Sequence, residues 1–197
     1  MDNVCRKCRK FGNKLFLKGE RCLSPKCSFT RRNYAPGSQG VKGKTVRRSE
    51  FGVQLREKQK AKAEYGLREG QFSRFFRDAS RAQTATGEEL LSLLERRLDN
   101  VVYRLGWATS RNQARQFVLH RKIKLNDKIV NIPSVVVKKN DVIEPARKNF
   151  LNPQKTTLPS WLKLDAKALQ GKVVQMPARE DIETGIDEQL IVEYYNR

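Results

Sequence analysis

The sequence predicts an α+β protein preceded by a cysteine-rich arm. Three observations carry this reading: helical spacing of apolar residues through the first half, apolar residues alternating around a polar turn at 123–132, and four cysteines confined to the first 27 residues. At 197 residues the chain can hold one sizeable core or two small ones, plus a metal-stapled appendage. A large multi-domain catalyst is excluded.

The arm comes first. Cys5-x2-Cys8 and Cys22-x4-Cys27 are separated by thirteen residues, a spacing that lets two short knuckles close on one tetrahedral ion. Four thiolates leave no open coordination position, so Cys5, Cys8, Cys22 and Cys27 are expected to hold structural Zn2+ and not to activate water. An iron–sulfur cluster can use the same four thiolates and stays an alternative. Disulfides fit a reducing cytoplasm poorly, and a thioredoxin-like site would need a surrounding strand–helix unit that this segment lacks. Ser24-Pro25, Pro36-Gly37-Ser38 and Gly40 break up the rest of 1–45, which shows little periodicity and too few apolar residues for a core. It is expected to need a staple or a partner.

Helical patterns come next. Ser49 is placed to cap a helix carrying Phe51 and Leu55, with the basic run Arg56 to Lys60 on its exposed face and Gly66 at its end. Gln71 to Gln83 reads as a second helix, its stripe made by Phe72, Phe75, Phe76 and Ala79. These phenylalanines are assigned to packing, as are Trp107 and Trp161. Thr86-Gly87-Glu88-Glu89 fits a capping box ahead of Leu90, Leu91, Leu94 and Leu98. Ser110 can cap a short helix through Ala114, Phe117 and Val118.

The pattern then changes period. Ile123 to Leu125 and Ile129 to Ile132 alternate about Asn126-Asp127-Lys128 like a hairpin, and Val135 to Val137 and Val142-Ile143 continue as strand. Pro133, Pro145, Pro153 and Pro159 punctuate the next stretch of chain, making 149–160 a loop before a Val173-Val174 strand. Ile182, Ile186 and Leu190, each four apart, predict a final helix. The domains expected are 1–45, a basic arm; 46–95 joined by 178–197, helical; and 96–177, with the hairpin.

Charge narrows the function. Lys and Arg total 41 against 21 Asp and Glu, a formal net charge of +20, so the expected partner is a polyanion. No apolar run approaches the roughly 20 residues that span a bilayer, which puts nucleic acid ahead of a membrane. The first residues lack the apolar stretch of a secretory signal, so a cytoplasmic location is expected. Residues 1–48 hold 14 basic and 2 acidic side chains, whereas 180–197 hold 1 and 6, so the two ends have different tasks. Arg6, Lys7, Arg9, Lys10, Lys14, Arg31 and Arg32 are interleaved with Phe29 and Tyr34. Arginine can grip phosphate or stack on a base and Tyr34 offers a stacking face, which suits irregular RNA better than smooth duplex. His120, the single histidine, has no paired nucleophile or carboxylate motif and reads as an RNA contact or helix end. Asp99 lies between Arg97 and Arg104 and reads as a group that orients arginines.

Specific motifs sharpen this. Arg97-Leu98-Asp99-Asn100-Val101-Val102-Tyr103-Arg104-Leu105-Gly106, Ser110-Arg111-Asn112-Gln113-Ala114-Arg115-Gln116 and Val130-Asn131-Ile132-Pro133-Ser134 together closely resemble the small-subunit ribosomal protein four family, in its bacterial, zinc-knuckle form. The likeness extends to the cysteine arm, Gln54 to Lys60, Pro159-Ser160-Trp161-Leu162 and Leu190 to Tyr195. The resemblance implies a helical domain formed by both chain ends, into which an RNA-binding domain of two helices and a small antiparallel sheet is inserted. It implies binding to 16S ribosomal RNA at a multi-helix junction, nucleation of small-subunit assembly and a part in translational accuracy. Contact with ribosomal protein five and with messenger RNA where it enters the ribosome are further implied partners, with no membrane. The expected RNA-binding set adds Arg47, Arg48, Arg56, Lys58 and Lys60. Arg97, Arg104, Arg111, Arg115, His120, Lys122 and Lys124 are expected to form one RNA-facing surface.

The chain departs from the family pattern where Arg121 replaces a helix-ending Gly, Lys122 a His, Asp127 a hairpin Gly, and Asn140 a Gly. Asn and Asp tolerate a left-handed backbone, whereas Arg121 is expected to carry modest strain, offset by its extra charge on RNA. An RNA-modifying enzyme or a translational repressor using the same RNA-binding domain is the rival function, although no catalytic domain is left over. A DNA-binding zinc-finger regulator would need a recognition helix that the cysteine segment lacks.

Overall fold

The protein is described by a computed structural model over residues 4–41, 48–147, 157–165 and 168–197. Arg47 and most of the expected loop at 149–160 lie outside the described residues. The helices are α1 (Val4–Phe11), α2 (Glu20–Leu23), α3 (Ser28–Arg31), α4 (Ser38–Val41), α5 (Glu50–Glu64), α6 (Glu69–Ala79), α7 (Thr86–Glu95), α8 (Leu98–Arg104), α9 (Arg111–Leu119) and α10 (Glu188–Tyr195). The strands are β1 (Ile123–Leu125), β2 (Lys128–Val130), β3 (Val142–Pro145), β4 (Leu162–Asp165) and β5 (Gln170–Val173). Contacts divide the chain inside α6, giving one unit of 1–72 with 186–197 and a second of 73–185.

In the first unit the arm is more ordered than its sequence suggests. Cys8, Phe11, Leu15 and Leu17 are buried together with Val4, Phe29 and Ala63 packed against them, so α5 supplies part of a small core. The arm has more buried apolar residues than its sequence suggests, and α5 is the partner they pack on. α5 starts at Ser49, whose hydroxyl accepts from the Gly52 amide, and ends at Gly66 (φ 64°), with Leu67 N–H reaching the Lys62 carbonyl.

α10 lies along α5. Gln54 donates to Glu193 at 2.9 Å, the Asp187 amide donates to Glu57 at 2.9 Å, and the Phe51 and Tyr194 ring centroids are 5.6 Å apart. Lys58 is buried, with Nζ 2.6 Å from Glu69, 4.2 Å from the Tyr194 ring centroid and 5.5 Å from that of Tyr195. Lys60 is buried against Glu57 at 2.5 Å. Contrary to the sequence expectation, neither lysine presents its charge on an exposed helix face, because α10 brings aromatic rings and each ammonium finds a carboxylate. The final helix is also shorter than its apolar spacing predicts. Ile182 and Ile186 are buried but precede α10, which the Asp187 carboxylate caps by accepting from Gln189 and Leu190, and Ile191 is its buried residue.

The second unit packs α8 and α9 on a sheet of order β2-β1-β3-β5-β4, antiparallel throughout. Its core holds Leu98, Val101, Val102, Ala114, Val118, Ile123, Ile143 and both tryptophans, as the apolar spacing predicts. A Cβ on Gly171 would stand 2.5 Å from the Leu105 side chain, so the helix end sits almost directly on β5. The hairpin turns through Asn126 (φ 48°) and Asp127 (φ 63°), the two left-handed residues of a type I′ turn. Asn126 also accepts from the Val142 amide and donates to Asp141, and Asn140 (φ 68°) keeps its left-handed turn.

Two sequence expectations fail here. The Thr86 capping box does not form: Ala85 is the cap, Thr86 is the first helical residue, and Glu89 is reached by the Thr84 hydroxyl at 3.4 Å. Val135 to Val137 do not join the sheet, because their backbone is used at the start of α8. The Val135 and Pro133 carbonyls accept from Leu98 and Asp99, and Val137 N–H donates to Arg96. β4 is absent from the sequence reading, although Leu162 and Leu164 alternate with Lys163 and Asp165.

Around α8 lies a buried charged network. Arg97, 1% exposed, donates to both oxygens of Asp99 at 3.1 and 2.7 Å and lies 5.5 Å from the Phe75 ring centroid. Glu95, also 1% exposed, accepts from Asn100 at 2.8 Å and from Arg104 at 2.9 and 2.8 Å. Arg111 donates to Asn100 at 2.8 Å, and Arg115 stands 3.6 Å from Asp99. Breaking one partner of such a pair strands a charge away from water. Asp99→Asn should therefore destabilise the second unit by about 3–5 kcal/mol, read by urea denaturation.

Acid should act on the first unit through Glu69. Burial works against its ionised form, but hydrogen bonds and charge from Lys58 and Lys62 outweigh it and hold the carboxyl below the usual range. A lowered folded pKa gives stability that is complete above the unfolded value and lost as pH falls through the folded one. In Glu69→Gln, the drop in denaturation midpoint between neutral and acidic pH should be smaller than in the unmodified chain.

Candidate nucleic-acid interface

The end of α9 and the start of β1 build a cationic cleft. Ser110 caps α9 by accepting from the Gln113 amide, and the helix stops at His120. Arg121 N–H then returns to the Val118 carbonyl and Lys122 N–H to that of Phe117, which places β1 immediately after the turn. Ile123 pairs with Pro145, and the Ala146 amide donates to the Lys122 carbonyl at 2.8 Å, so Arg147 arrives beside the turn. His120, Arg121, Lys122, Lys124 and Arg147 line an open cleft of about 570 Å³ with Ile129 and Ala146. Among the described residues no carboxylate lines it, so the group it suits is an anion.

The expected surface of seven residues thus separates into two parts. His120, Lys122 and Lys124 line the cleft, whereas Arg97 is sealed against Asp99 and does not face solvent. Arg104 and Arg111 are held by Glu95 and Asn100 with side chains only 17% and 11% exposed, while Arg115 keeps a third of its side chain in solvent. The reason is the pair of carboxylates on α7 and α8, which draw these arginines inward. Four arginines around two carboxylates still leave positive charge beneath α9. Lys58 and Lys60 are likewise buried and are removed from the exposed set. The expected binding set omits Arg121 and Arg147: the sequence offers the charge of Arg121 only as an offset to its strained turn, and Arg147 is brought in by strand pairing.

On the arm, Arg6, Arg9, Arg31 and Arg32 line a hollow of about 210 Å³ together with Cys5 and Ser28. Arg9 donates to the Tyr34 carbonyl at 3.0 Å and its guanidinium lies 4.8 Å from the Tyr34 ring centroid. Tyr34 is 40% exposed and leaves a stacking face available. Lys10, Lys14 and Arg48 are exposed and Lys7 and Arg56 half-buried.

The four cysteines are free thiols. Cys8, Cys22 and Cys27 are buried and Cys5 is half-buried. Burial pushes the Cys8 thiol up, and the charges of Cys22, Cys5 and Cys27 add to it. Backbone N–H groups point at three of them: Leu15 at Cys8, Lys18 at Cys22 (3.4 Å), and Thr30 and Phe29 at Cys27. Burial opposes ionisation of Cys27, but these amides and the Thr30 hydroxyl more than compensate and lower its pKa. The donor chemistry therefore fits a thiolate-bound cation, while among the described residues no three Cys, His, Asp or Glu side chains are close enough to hold a metal. No described helix is long and apolar enough to cross a membrane.

Comparison with known proteins identifies the family. Residues 1–95 match the family model of the ribosomal protein S4/S9 N-terminal domain, and residues 96–143 match that of the S4 domain. The chain is 54% identical to the small ribosomal subunit protein uS4 of Heliobacterium modesticaldum, over 98% of this chain and 97% of that protein. It is 52% identical to that of Dictyoglomus thermophilum, over 98% and 96%, and 50% identical to uS4A of Alkaliphilus metalliredigens, over 100% and 98%. Two family models that together cover residues 1–143, and relatives this similar along their whole length, place the chain in one family: it belongs to the uS4 family of small-ribosomal-subunit proteins.

Proposed function

We propose that this chain is a structural protein of the small ribosomal subunit, working in the cytoplasm, that binds 16S ribosomal RNA where several helices meet and helps nucleate subunit assembly. The observation that carries the reading is the cleft at the end of α9, lined by four cations and a histidine with no carboxylate among its described residues; all but Ala146 and Arg147 of its lining lie on the segment that matches the S4 domain. Converging RNA strands repel one another. Cations fixed on a rigid helix end and strand can neutralise phosphates from more than one strand at once. The arm supplies a second basic hollow and an exposed tyrosine, a combination suited to unstacked nucleotides at a junction. A part in translational accuracy, contact with ribosomal protein five and a position along incoming messenger RNA belong to the same proposal and derive from family membership.

The arm's cysteines are proposed to hold one zinc ion, with an iron–sulfur cluster as the alternative. Support comes from four free thiols in knuckle spacing and from the amides directed at their sulfurs. Bound there, the ion would join the two knuckles and fix the basic hollow; the surrounding residues would orient the sulfurs and shield them from water.

Two measurements check these readings. Neutralising His120, Lys122 and Lys124 together should weaken binding to transcribed 16S RNA and make the plot of log affinity against log salt shallower by about 2, as expected for two to three lost phosphate contacts. Neutralising Lys163 and Lys172, exposed partners across β4 and β5, should change it little. Equal effects from both sets would mean diffuse attraction and no defined site. Metal analysis of the purified chain should find one zinc, or a cluster's iron, per molecule. Cys22→Ser with Cys27→Ser should abolish it and raise amide exchange in the arm while leaving the second unit protected; a metal-free native chain would overturn the assignment.

A further inference from the structure

Among the described residues, the chain closes its longer helices with glycine where the backbone turns left-handed, with one exception. After α1, Gly12 (φ 67°) is succeeded by Asn13, whose N–H reaches back to the Cys8 carbonyl. After α5, Gly66 (φ 64°) is succeeded by Leu67, bonded to Lys62, and after α8, Gly106 (φ 74°) by Trp107, bonded to Val102. These are the same closing turn, in which glycine avoids a clash that any Cβ suffers. α9 closes in the same way, with Lys122 N–H on the Phe117 carbonyl, but the left-handed residue is Arg121 (φ 56°).

Arginine has no local compensation of the kind that Asn126 and Asn140 find in short polar side chains. It is exposed and pairs with no carboxylate among the described residues. What it does have is a place in the cleft, beside His120, Lys122, Lys124 and Arg147. A residue held in an unfavourable backbone conformation at a binding surface is the signature of strain retained for function.

We infer that Arg121 is a phosphate-binding residue, with the RNA backbone phosphodiester as its ligand, and that the left-handed turn at the end of α9 holds it in the cleft at the expense of stability. This rests on the RNA-binding reading given above and names a contact within it. The guanidinium can grip a phosphate through two N–H groups, while the turn fixes its Cα between the helix end and β1. Arg147 lines the same cleft from the end of β3 and completes the ring of cations.

Glycine at position 121 separates stability from binding. Arg121→Gly should raise the thermal midpoint by about 2–4 °C through relief of the left-handed strain. It should also weaken binding to transcribed 16S RNA about fivefold near 0.15 M salt and make the salt slope shallower by about 0.7–0.9, the value for one phosphate contact. Arg121→Asn, which tolerates the turn without the charge, should show the same binding loss. Arg121→Lys should keep the salt slope. If Arg121→Gly binds as the unmodified chain does while Lys124→Ala binds more weakly, the inference is overturned and the RNA-binding site stands. If neither variant changes binding, the RNA-binding reading of the cleft falls with it. A lower thermal midpoint in Arg121→Gly would overturn the strain on which the inference is built.

Discussion

Two carboxylates with almost no solvent contact, Glu95 and Asp99, organise the second unit around themselves. A buried carboxylate is tolerable only when hydrogen-bonded and neutralised, so each fixes whatever cations and amides come within reach. Glu95 binds Arg104 one helix later and, through Asn100, sets Arg111 at the start of α9. Asp99 holds Arg97 and faces Arg115 one turn further along α9. The angle at which α9 leaves α8 is thereby set by charge as well as by the apolar core beneath it. The cleft at the far end of α9 inherits that placement, because its turn and β1 continue directly from the helix. An all-apolar core could be as stable, but it would bind α9 through contacts that slide more easily than directed hydrogen bonds.

Much of this is legible in the residues. Ser49 and Ser110 cap helices as their positions suggest, Gly66 ends one, and Asn126-Asp127 makes the tight hairpin. These are local effects, settled by a few neighbouring atoms. The α8, α9 and hairpin core is equally plain from apolar periodicity. The misreadings share a different origin. Lys58 looks like a surface lysine until α10, more than a hundred residues later, places two tyrosines over it. Arg97 looks like an RNA contact until Asp99 and Phe75 enclose it. Val135 to Val137 have strand character that is spent on the first amides of α8. In each case a tertiary partner decides, and pattern along the chain cannot show it. β4 escapes for a simpler reason, since a short alternation beside several prolines reads as loop.

The candidate site shows the same division. Residue types point to RNA and the motifs to a family, and the family holds. Which cations are free to act depends on where the carboxylates lie. A count of basic residues treats Arg97 and Lys124 alike, but one balances a buried charge and the other lines an open cleft. In a chain this basic, the scarce acidic residues carry more information about the binding surface than the abundant lysines and arginines.

The pairing of α5 with α10 also imposes an order on synthesis. These helices lie side by side in one unit, yet the entire second unit separates them along the chain. During translation, residues 73–185 are made while α5 still lacks its partner. The inserted unit can fold over that interval, leaving the face of α5 that carries Gln54 and Lys58 uncovered until α10 arrives. Over that interval Lys58 has neither tyrosine above it. Completion of the first unit thus waits on the last helix of the described chain, so that a molecule released before Glu188 would have every residue of the second unit and an unfinished first.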